Sequence, residues 1–189
     1  METSDTELMA RLADGDDLAL NALMERWSER VAAFLYKMTG HHETAVDLAQ
    51  EAFVKLYQAR ERYRPNGTFS TYLFAIASNL ARNHARWKGR HPTVSIDATL
   101  EDGVPVVPEL TDNHQTPEEA AQSAEKFRAV HEAFLLLPPD LREAMTLFVY
   151  EAMGYAEISA ISGCSPKAVE TRIYRARQIL KERLSEFVS

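Results

Sequence analysis

Apolar residues return along this chain at helical intervals. Leu20, Leu23, Met24, Trp27, Val31, Phe34, Leu35 and Met38 follow the i, i+3, i+4, i+7 spacing that collects side chains on one face of a helix, and Gly40 stands where that helix stops. Val46, Ala49, Phe53, Leu56 and Tyr57 predict a second helix near 44–60. The segment Arg64-Pro65-Asn66-Gly67 breaks it, because proline removes a backbone donor and glycine frees the backbone to turn. Ser70 is placed to cap a long helix whose expected inner stripe is Leu73, Ile76, Leu80 and Trp87. From 91 to 116 the period vanishes, and Pro92, Gly103, Pro105 and Pro108 predict extended chain. Thr116-Pro117-Glu118-Glu119 reads as a capping box with proline at the first helical position, so a second helical unit opens there. Its first inner stripe is Phe127, Val130 and Phe134. Pro138-Pro139 ends that helix, and Asp140 is the expected cap of the next, which buries Leu141, Met145 and Phe148. No stretch alternates at period two. The pattern predicts an all-α chain of two small helical domains, 1–90 and 117–189, joined by an extended linker over 91–116.

Charge changes the picture only once it is divided along the chain. The 189 residues carry a net −7, which by itself argues against a nucleic-acid partner. Residues 1–90 hold twelve Lys/Arg and twelve Asp/Glu, and residues 120–189 hold nine of each. The excess sits between them, in seven acids (Asp97, Glu101, Asp102, Glu109, Asp112, Glu118, Glu119) without a Lys or Arg. Residues 55–90 concentrate eight bases against Glu61 alone, and residues 167–183 hold six against Glu170 and Glu182. Two basic patches flank an acidic strap, and local clustering is what attracts phosphate. No apolar run reaches the length of a membrane span, and the first residues lack the basic-then-apolar layout of a signal peptide. The single Cys164 excludes an internal disulfide and a CxxC metal cage. A cytoplasmic protein without membrane insertion is expected.

The strongest local signal lies near the carboxy terminus. Ala156 to Ile161 predicts a short helix, Gly163-Cys164-Ser165 a three-residue turn, and Pro166 the first residue of a longer helix capped by Ser165. Val169, Ile173, Leu180 and Leu184 face inward on that helix. Lys167, Glu170, Thr171, Tyr174, Arg175 and Gln178 face out, with Arg172, Arg177 and Lys181 on its flanks. This is a helix-turn-helix layout, in which the amino-terminal turns of the second helix reach base edges in the major groove.

Five motif stretches resemble those of extracytoplasmic-function sigma factors, the smallest class of bacterial alternative sigma factors of RNA polymerase. Leu137-Pro138-Pro139-Asp140-Leu141-Arg142-Glu143, Tyr155-Ala156-Glu157-Ile158 and the run from Ser165 to Arg177 resemble that family's last domain. Asp47-Leu48-Ala49-Gln50-Glu51-Ala52-Phe53 is similar to its polymerase-binding motif. Phe69 to Asn79 resembles the stretch that leads into promoter melting. The likeness covers nearly the whole chain in the family's order, the linker excepted.

The resemblance implies a role for each surface. Asp47, Gln50 and Glu51 would grip a coiled coil on the β′ clamp of core RNA polymerase, and the last domain would meet the β flap. Arg64, Asn66, Phe69, Tyr72, Asn79, Arg82, Asn83 and Arg86 would handle the minus-ten element. A base taken out of the stack there needs hydrogen-bonding groups on its edge and an aromatic wall, for which Asn79 with Phe69, Tyr72 and Phe74 are the candidates. Ser165, Lys167, Glu170, Thr171, Arg172, Tyr174, Arg175 and Arg177 would read the minus-thirty-five element. The linker of 26 residues can reach about 90 Å when extended, enough to join elements roughly 70 Å apart. The implied function is promoter-specific initiation, stress- or envelope-responsive, under an anti-sigma factor. The sequence departs from the family at Lys167-Ala168-Val169, where Gly-Thr-Val is usual, and at Glu170, where a base is frequent. Glu170 can accept from cytosine, so an atypical upstream element is expected.

Other features carry less. His41-His42-Glu43 lacks a further ligand and reads as surface, and Cys164 reads as a small buried side chain. No constellation of acids and histidines suggests catalysis, so neither an enzyme nor a cofactor is expected. The competing reading is a helix-turn-helix regulator that acts as a dimer on a palindrome without being a polymerase subunit.

Overall fold

Eight α-helices, with one 3-10 turn, make up the described part of the chain in a computed structural model; residues 3–64, 67–91 and 117–185 are described. The first four are α1 (Asp5–Ala13), α2 (Leu18–Thr39), α3 (His42–Gln58) and α4 (Phe69–Arg90), with the 3-10 turn Arg60–Arg62 before α4. The last four are α5 (Pro117–Leu135), α6 (Pro139–Val149), α7 (Tyr155–Ser162) and α8 (Pro166–Arg183). Among the described residues there is no strand. The expected extended linker, Asn66 and the Thr116 cap lie outside the described residues, as does the side chain of Phe127.

Helix α2 is the spine of the amino-terminal half. Leu23, Trp27, Val31, Phe34 and Leu35 are buried on one face of it, as the spacing predicts. Gly40 ends the helix at φ +76°, a left-handed conformation that costs a side-chain-bearing residue about 1–2 kcal/mol. A Cβ at Gly40 would also stand 3.1 Å from the Leu135 methyls of α5. Trp27 meets Phe69 and Phe74 edge-on at 5.7 and 6.3 Å, and Phe34 meets Phe74 at 5.3 Å.

Several sequence expectations need correction. Helix α4 is capped by Thr68, whose hydroxyl accepts from the Thr71 N–H at 3.2 Å, and Ser70 lies inside the first turn. The earlier start puts Phe69 within the helix, so that its ring can enter the core beside Trp27. Trp87 is not in the inner stripe; it is 55% exposed where α4 outruns its neighbours. Ile76, Val46, Tyr57 and Phe148 are half-buried, and Ala45, Ala52, Ala77 and Ala81 fill inner positions instead. Small residues let helices approach closely, and a stripe drawn from large apolar residues passes over them. Helix α6 begins at Pro139 with Pro138 as its cap residue; Asp140 lies in the first turn, where its charge suits the helix dipole and pairs with Arg172 at 3.4 Å.

The two halves pack together. Helix α4 lies against α7, and α2 lies against α5 and α6. Buried residues of both halves form one hydrophobic cluster. At the seam, His131 of α5 lies flat on Tyr36 of α2, with centroids 4.7 Å apart and planes within 4°. Burial chiefly holds the His131 imidazole below its usual pKa of 6.5, Lys37 and Arg142 push the same way, and Glu132 opposes them. The folded chain therefore binds fewer protons at His131 than the unfolded chain. Stability from this site is full above the unfolded pKa and is lost as pH falls through and below it. Acidification from about pH 7.5 to about 5.5 is expected to lower the melting temperature, and less so in His131→Phe. Equal slopes in thermal scans of the two proteins would remove His131 as the cause.

Candidate nucleic-acid interface

Helix α7 ends at Gly163 with φ +64°, and the Gly163 N–H donates to the Ser159 carbonyl. Helix α8 starts three residues later, its Ser165 cap hydroxyl accepting from the Ala168 N–H at 3.2 Å. The turn is the expected one. Val169, Ile173, Ala176 and Leu180 are buried beneath α8, and Leu184 is half-buried. Lys167, Glu170, Thr171, Tyr174, Arg175 and Arg177 are exposed on its outer side with Ser165 at its start. Tyr174 is 63% exposed, a large ring held in solvent. Two members of this set already have partners: Lys167 pairs with Glu170 at 2.8 Å, and Arg172 is half-buried against Asp140. The Lys167–Glu170 pair neutralises the amino-terminal end of that face. Arg175 is left exposed at its centre, and Arg177 lies with its guanidinium 5.2 Å from the Phe148 ring centroid.

Helix α4 carries the second basic surface. Its Asn79, Asn83 and Arg86 are exposed, Tyr72 and Arg82 are half-buried, and Arg64 is exposed just before the helix. The Asn79 carbonyl oxygen accepts from Arg82 Nη2 at 2.7 Å, and the Asn83 oxygen accepts from Arg86 Nη2 at the same distance. Each amide thereby has its oxygen engaged by an arginine of its own helix. The aromatic wall divides differently from the expectation. Phe69 is 4% exposed and Phe74 fully buried, both packed on Trp27, so they belong to the core. Tyr72 remains at the surface, edge-on to Tyr63 at 4.9 Å. Tyr63 was missed in the sequence because it lies in the break before α4, outside any periodic segment.

The third surface is the outer side of α3. Asp47, Gln50 and Glu51 are all exposed, opposite the buried Ala45, Ala49, Ala52, Phe53 and Leu56. Glu51 is shared with Lys55 at 3.3 Å. Val54, seven residues after Asp47, extends this face as an apolar spot 53% exposed. Its signal was available: a β-branched residue off the buried side of a helix.

Among the described residues no group of three or more His, Cys, Asp or Glu could hold a metal ion, and no helix is long and apolar enough to cross a membrane. His41 Nε2 lies 3.1 Å from Lys88 Nζ, and Cys164 is a half-buried free thiol. The acids with geometry worth noting are Glu143 and Glu157. Sequence reading gave them no role, because their environment is made by helices distant in the chain.

Comparison with known proteins fits this arrangement. The family model described as Sigma-70 region 2 matches residues 23–91, and Sigma-70, region 4 matches residues 127–180. The chain is 32% identical over 188 residues to the RNA polymerase sigma-H factor of Pseudomonas aeruginosa, covering 97% of this chain and 95% of that protein. It is 34% identical over 185 residues to the ECF RNA polymerase sigma-E factor of Haemophilus influenzae, covering 97% and 96%. Among solved structures it resembles CnrH in complex with the cytosolic domain of CnrY, with TM-score 0.69, 23% identity and coverage of 98% and 99% of the two chains. It also resembles the sigma factor RpoE of Bartonella quintana in complex with the anti-sigma factor NepR, with TM-score 0.65, 21% identity and coverage of 87% and 96%. Sigma factors are initiation factors and not enzymes. The chain belongs to the extracytoplasmic-function sigma factors, alternative sigma factors that bind core RNA polymerase and direct promoter-specific initiation.

Proposed function

We propose a division of labour among the three surfaces. The exposed row Asp47, Gln50, Glu51 and Val54 docks on the β′ clamp coiled coil, its carboxylates and amide meeting arginine-rich helices through charge-assisted hydrogen bonds. The face of α4 made by Tyr72, Asn79, Arg82, Asn83 and Arg86, with Arg64 and Asn66 ahead of it, takes the minus-ten strand. Asn79 reads an extruded base against Tyr72, and the arginines follow the phosphates. Helix α8 enters the major groove at the minus-thirty-five element with Ser165, Lys167, Glu170, Thr171, Arg172, Tyr174, Arg175 and Arg177, while its domain meets the β flap. Residues 1–90, 91–116 and 117–189 serve as the two reading domains and their acidic tether. The protein acts in the cytoplasm, and an anti-sigma factor holds it until a stress or envelope signal arrives; the likeness to RpoE in complex with the anti-sigma factor NepR supports that partner.

The observation that carries this reading is the separation of two basic, outward-facing helices from one acidic docking face, each on its own rigid helix. A dimeric regulator has no use for the α3 face, and residues 23–91, where that reading puts a sensor or dimerisation domain, match Sigma-70 region 2 instead. Run-off transcription with purified core polymerase tests it. Asp47→Ala/Gln50→Ala is expected to lower promoter-specific transcript at least tenfold, which is 1.4 kcal/mol of lost docking, with the folded content unchanged by circular dichroism. Full transcript from the double variant would sink the docking assignment.

A further inference from the structure

Past Leu80, one face of α4 alternates small residues with bases. Ala81, His84, Ala85, Lys88 and Gly89 follow the i, i+3, i+4, i+7, i+8 spacing of a single helix face. The small residues leave room where a core helix carries leucine, and a cavity of about 260 Å³ opens there. The end of α2 adds Met38 to its lining, and α6 adds Arg142. Both halves of the chain therefore contribute to it. None of these residues belongs to the surfaces assigned above to polymerase and promoter.

The charge of this lining is one-sided. His84, Lys88 and Arg142 line the cavity, and among the described residues no Asp or Glu does. Lys88 Nζ stands 3.1 Å from Nε2 of His41, which adds a second imidazole to the group. Elsewhere on α4 a base has its counter-charge, as Arg82 has Glu143 at 3.2 Å. Among the described residues no carboxylate pairs with His84, Lys88 or Arg142. Burial chiefly, then Lys88 and His41, holds the His84 imidazole below its usual pKa of 6.5. Arg142 also keeps a buried donor without an acceptor, its Nε. The end of α2 does not supply the missing negative charge, because its carbonyls are taken. That of Leu35 accepts from the Thr39 hydroxyl, that of Tyr36 from the Gly40 N–H, and that of Met38 from Arg142.

We propose that this cavity binds a small phosphate- or diphosphate-bearing anion, held by Lys88 and His84 in the field of the Arg142 guanidinium, as an effector site separate from the surfaces that read DNA. A phosphoryl group suits the lining because its oxygens accept from an ammonium and an imidazole in different directions at once, and charge-assisted hydrogen bonds are the strong ones. The size fits the class: pockets for drug-sized ligands begin at about 300 Å³, so a slightly smaller one takes a compact anion. A nucleic-acid strand has to enter such a recess and leave it again past α2, α4 and α6, whereas a free anion has only to enter. Because α4 and α6 come from different halves, an anion bound between them favours their packed arrangement and stabilises the folded chain by mass action.

Calorimetric titration of the full chain with inorganic pyrophosphate, at an ionic strength fixed with sodium chloride, tests the site. One pyrophosphate is expected to bind per chain and to raise the melting temperature, where chloride of equal ionic strength does not. Lys88→Ala is expected to weaken binding about tenfold, the scale of one charge-assisted hydrogen bond. Gly89→Asp sets a carboxylate in the lining at a position where a Cβ meets nothing within 4 Å. It is expected to abolish binding while circular dichroism shows the fold retained. Arg175→Ala, on the basic face of α8, is expected to bind pyrophosphate as the parent chain does. No heat beyond dilution at millimolar pyrophosphate overturns the proposal. Equal losses in Arg175→Ala and Lys88→Ala also overturn it, since they mean diffuse attraction to basic surfaces. A short single-stranded oligonucleotide separates the two sources of phosphate and is expected to leave bound pyrophosphate in place. If it displaces pyrophosphate and itself binds more weakly to Lys88→Ala, the cluster is a strand contact and the effector site is overturned.

Discussion

Phe74→Ala is expected to destabilise the chain by about 3–5 kcal/mol, the largest effect of any single truncation proposed for this protein. Phe74 is fully buried between Trp27 and Phe34, edge-on to both. Alanine would remove the ring's transfer free energy and two aromatic contacts worth about 0.5–1.5 kcal/mol each. It would also leave a cavity that α2 and α4 cannot close, since Trp27 is held on its other side by Phe69. Domains of this size are stable by only about 5–15 kcal/mol, so the variant is expected to be partly unfolded at physiological temperature. Chemical denaturation followed by tryptophan fluorescence measures it directly, because Trp27 is the neighbour lost. A change below about 1 kcal/mol would mean the α2–α4 contact is packed differently.

Arg142→Met is the second. The Arg142 guanidinium donates to the Met38 carbonyl at 2.8 Å, the Leu137 carbonyl at 3.0 Å and the Leu135 carbonyl. These are oxygens at the ends of α2 and α5 and in the turn into α6, where carbonyls lack partners inside their helices. Burial draws the Arg142 pKa below its usual value, and these acceptors offset the cost of desolvating the cation. Methionine keeps the bulk of the stem and strands three carbonyls, at about 1–3 kcal/mol for each that water cannot reach. A total loss of roughly 3 kcal/mol is expected, with the two halves melting in separate steps once their shared tie is gone. Arg142→Lys should rescue little, because an ammonium is a point donor and cannot fork toward three oxygens. Calorimetry that shows one transition for Arg142→Met, or a Lys variant within about 0.5 kcal/mol of the parent, would contradict the role.

Much of the molecule was legible beforehand, and the reasons are local. The spacing of Leu23, Trp27, Val31 and Phe34 determined the buried face of α2 because a helix has one period. Gly40 determined its end because few other residues accept the left-handed turn. Gly163, Ser165 and Pro166 determined the helix-turn-helix for the same kind of reason: a positive φ, a hydroxyl cap and a ring that tolerates only the first helical turn act through nearest neighbours. The outward direction of Asp47, Gln50 and Glu51 followed from the apolar residues opposite them.

What failed to be legible depends on how far a helix extends beyond its neighbour and on which small residue lets another helix close. Trp87 has the right spacing for the core, yet α4 has run past its support by that point. Phe69 and Tyr72 are equally plausible walls for a base in sequence; only the position of Trp27 decided that Phe69 points inward. The tertiary structure alone brought Arg82 to Glu143 and Arg30 to Glu151, pairs 61 and 121 residues apart. A residue pattern encodes which side of an element is apolar, because that is settled within a few turns. It carries no address for the distant surface that side will meet, because that depends on the summed packing of every helix at once.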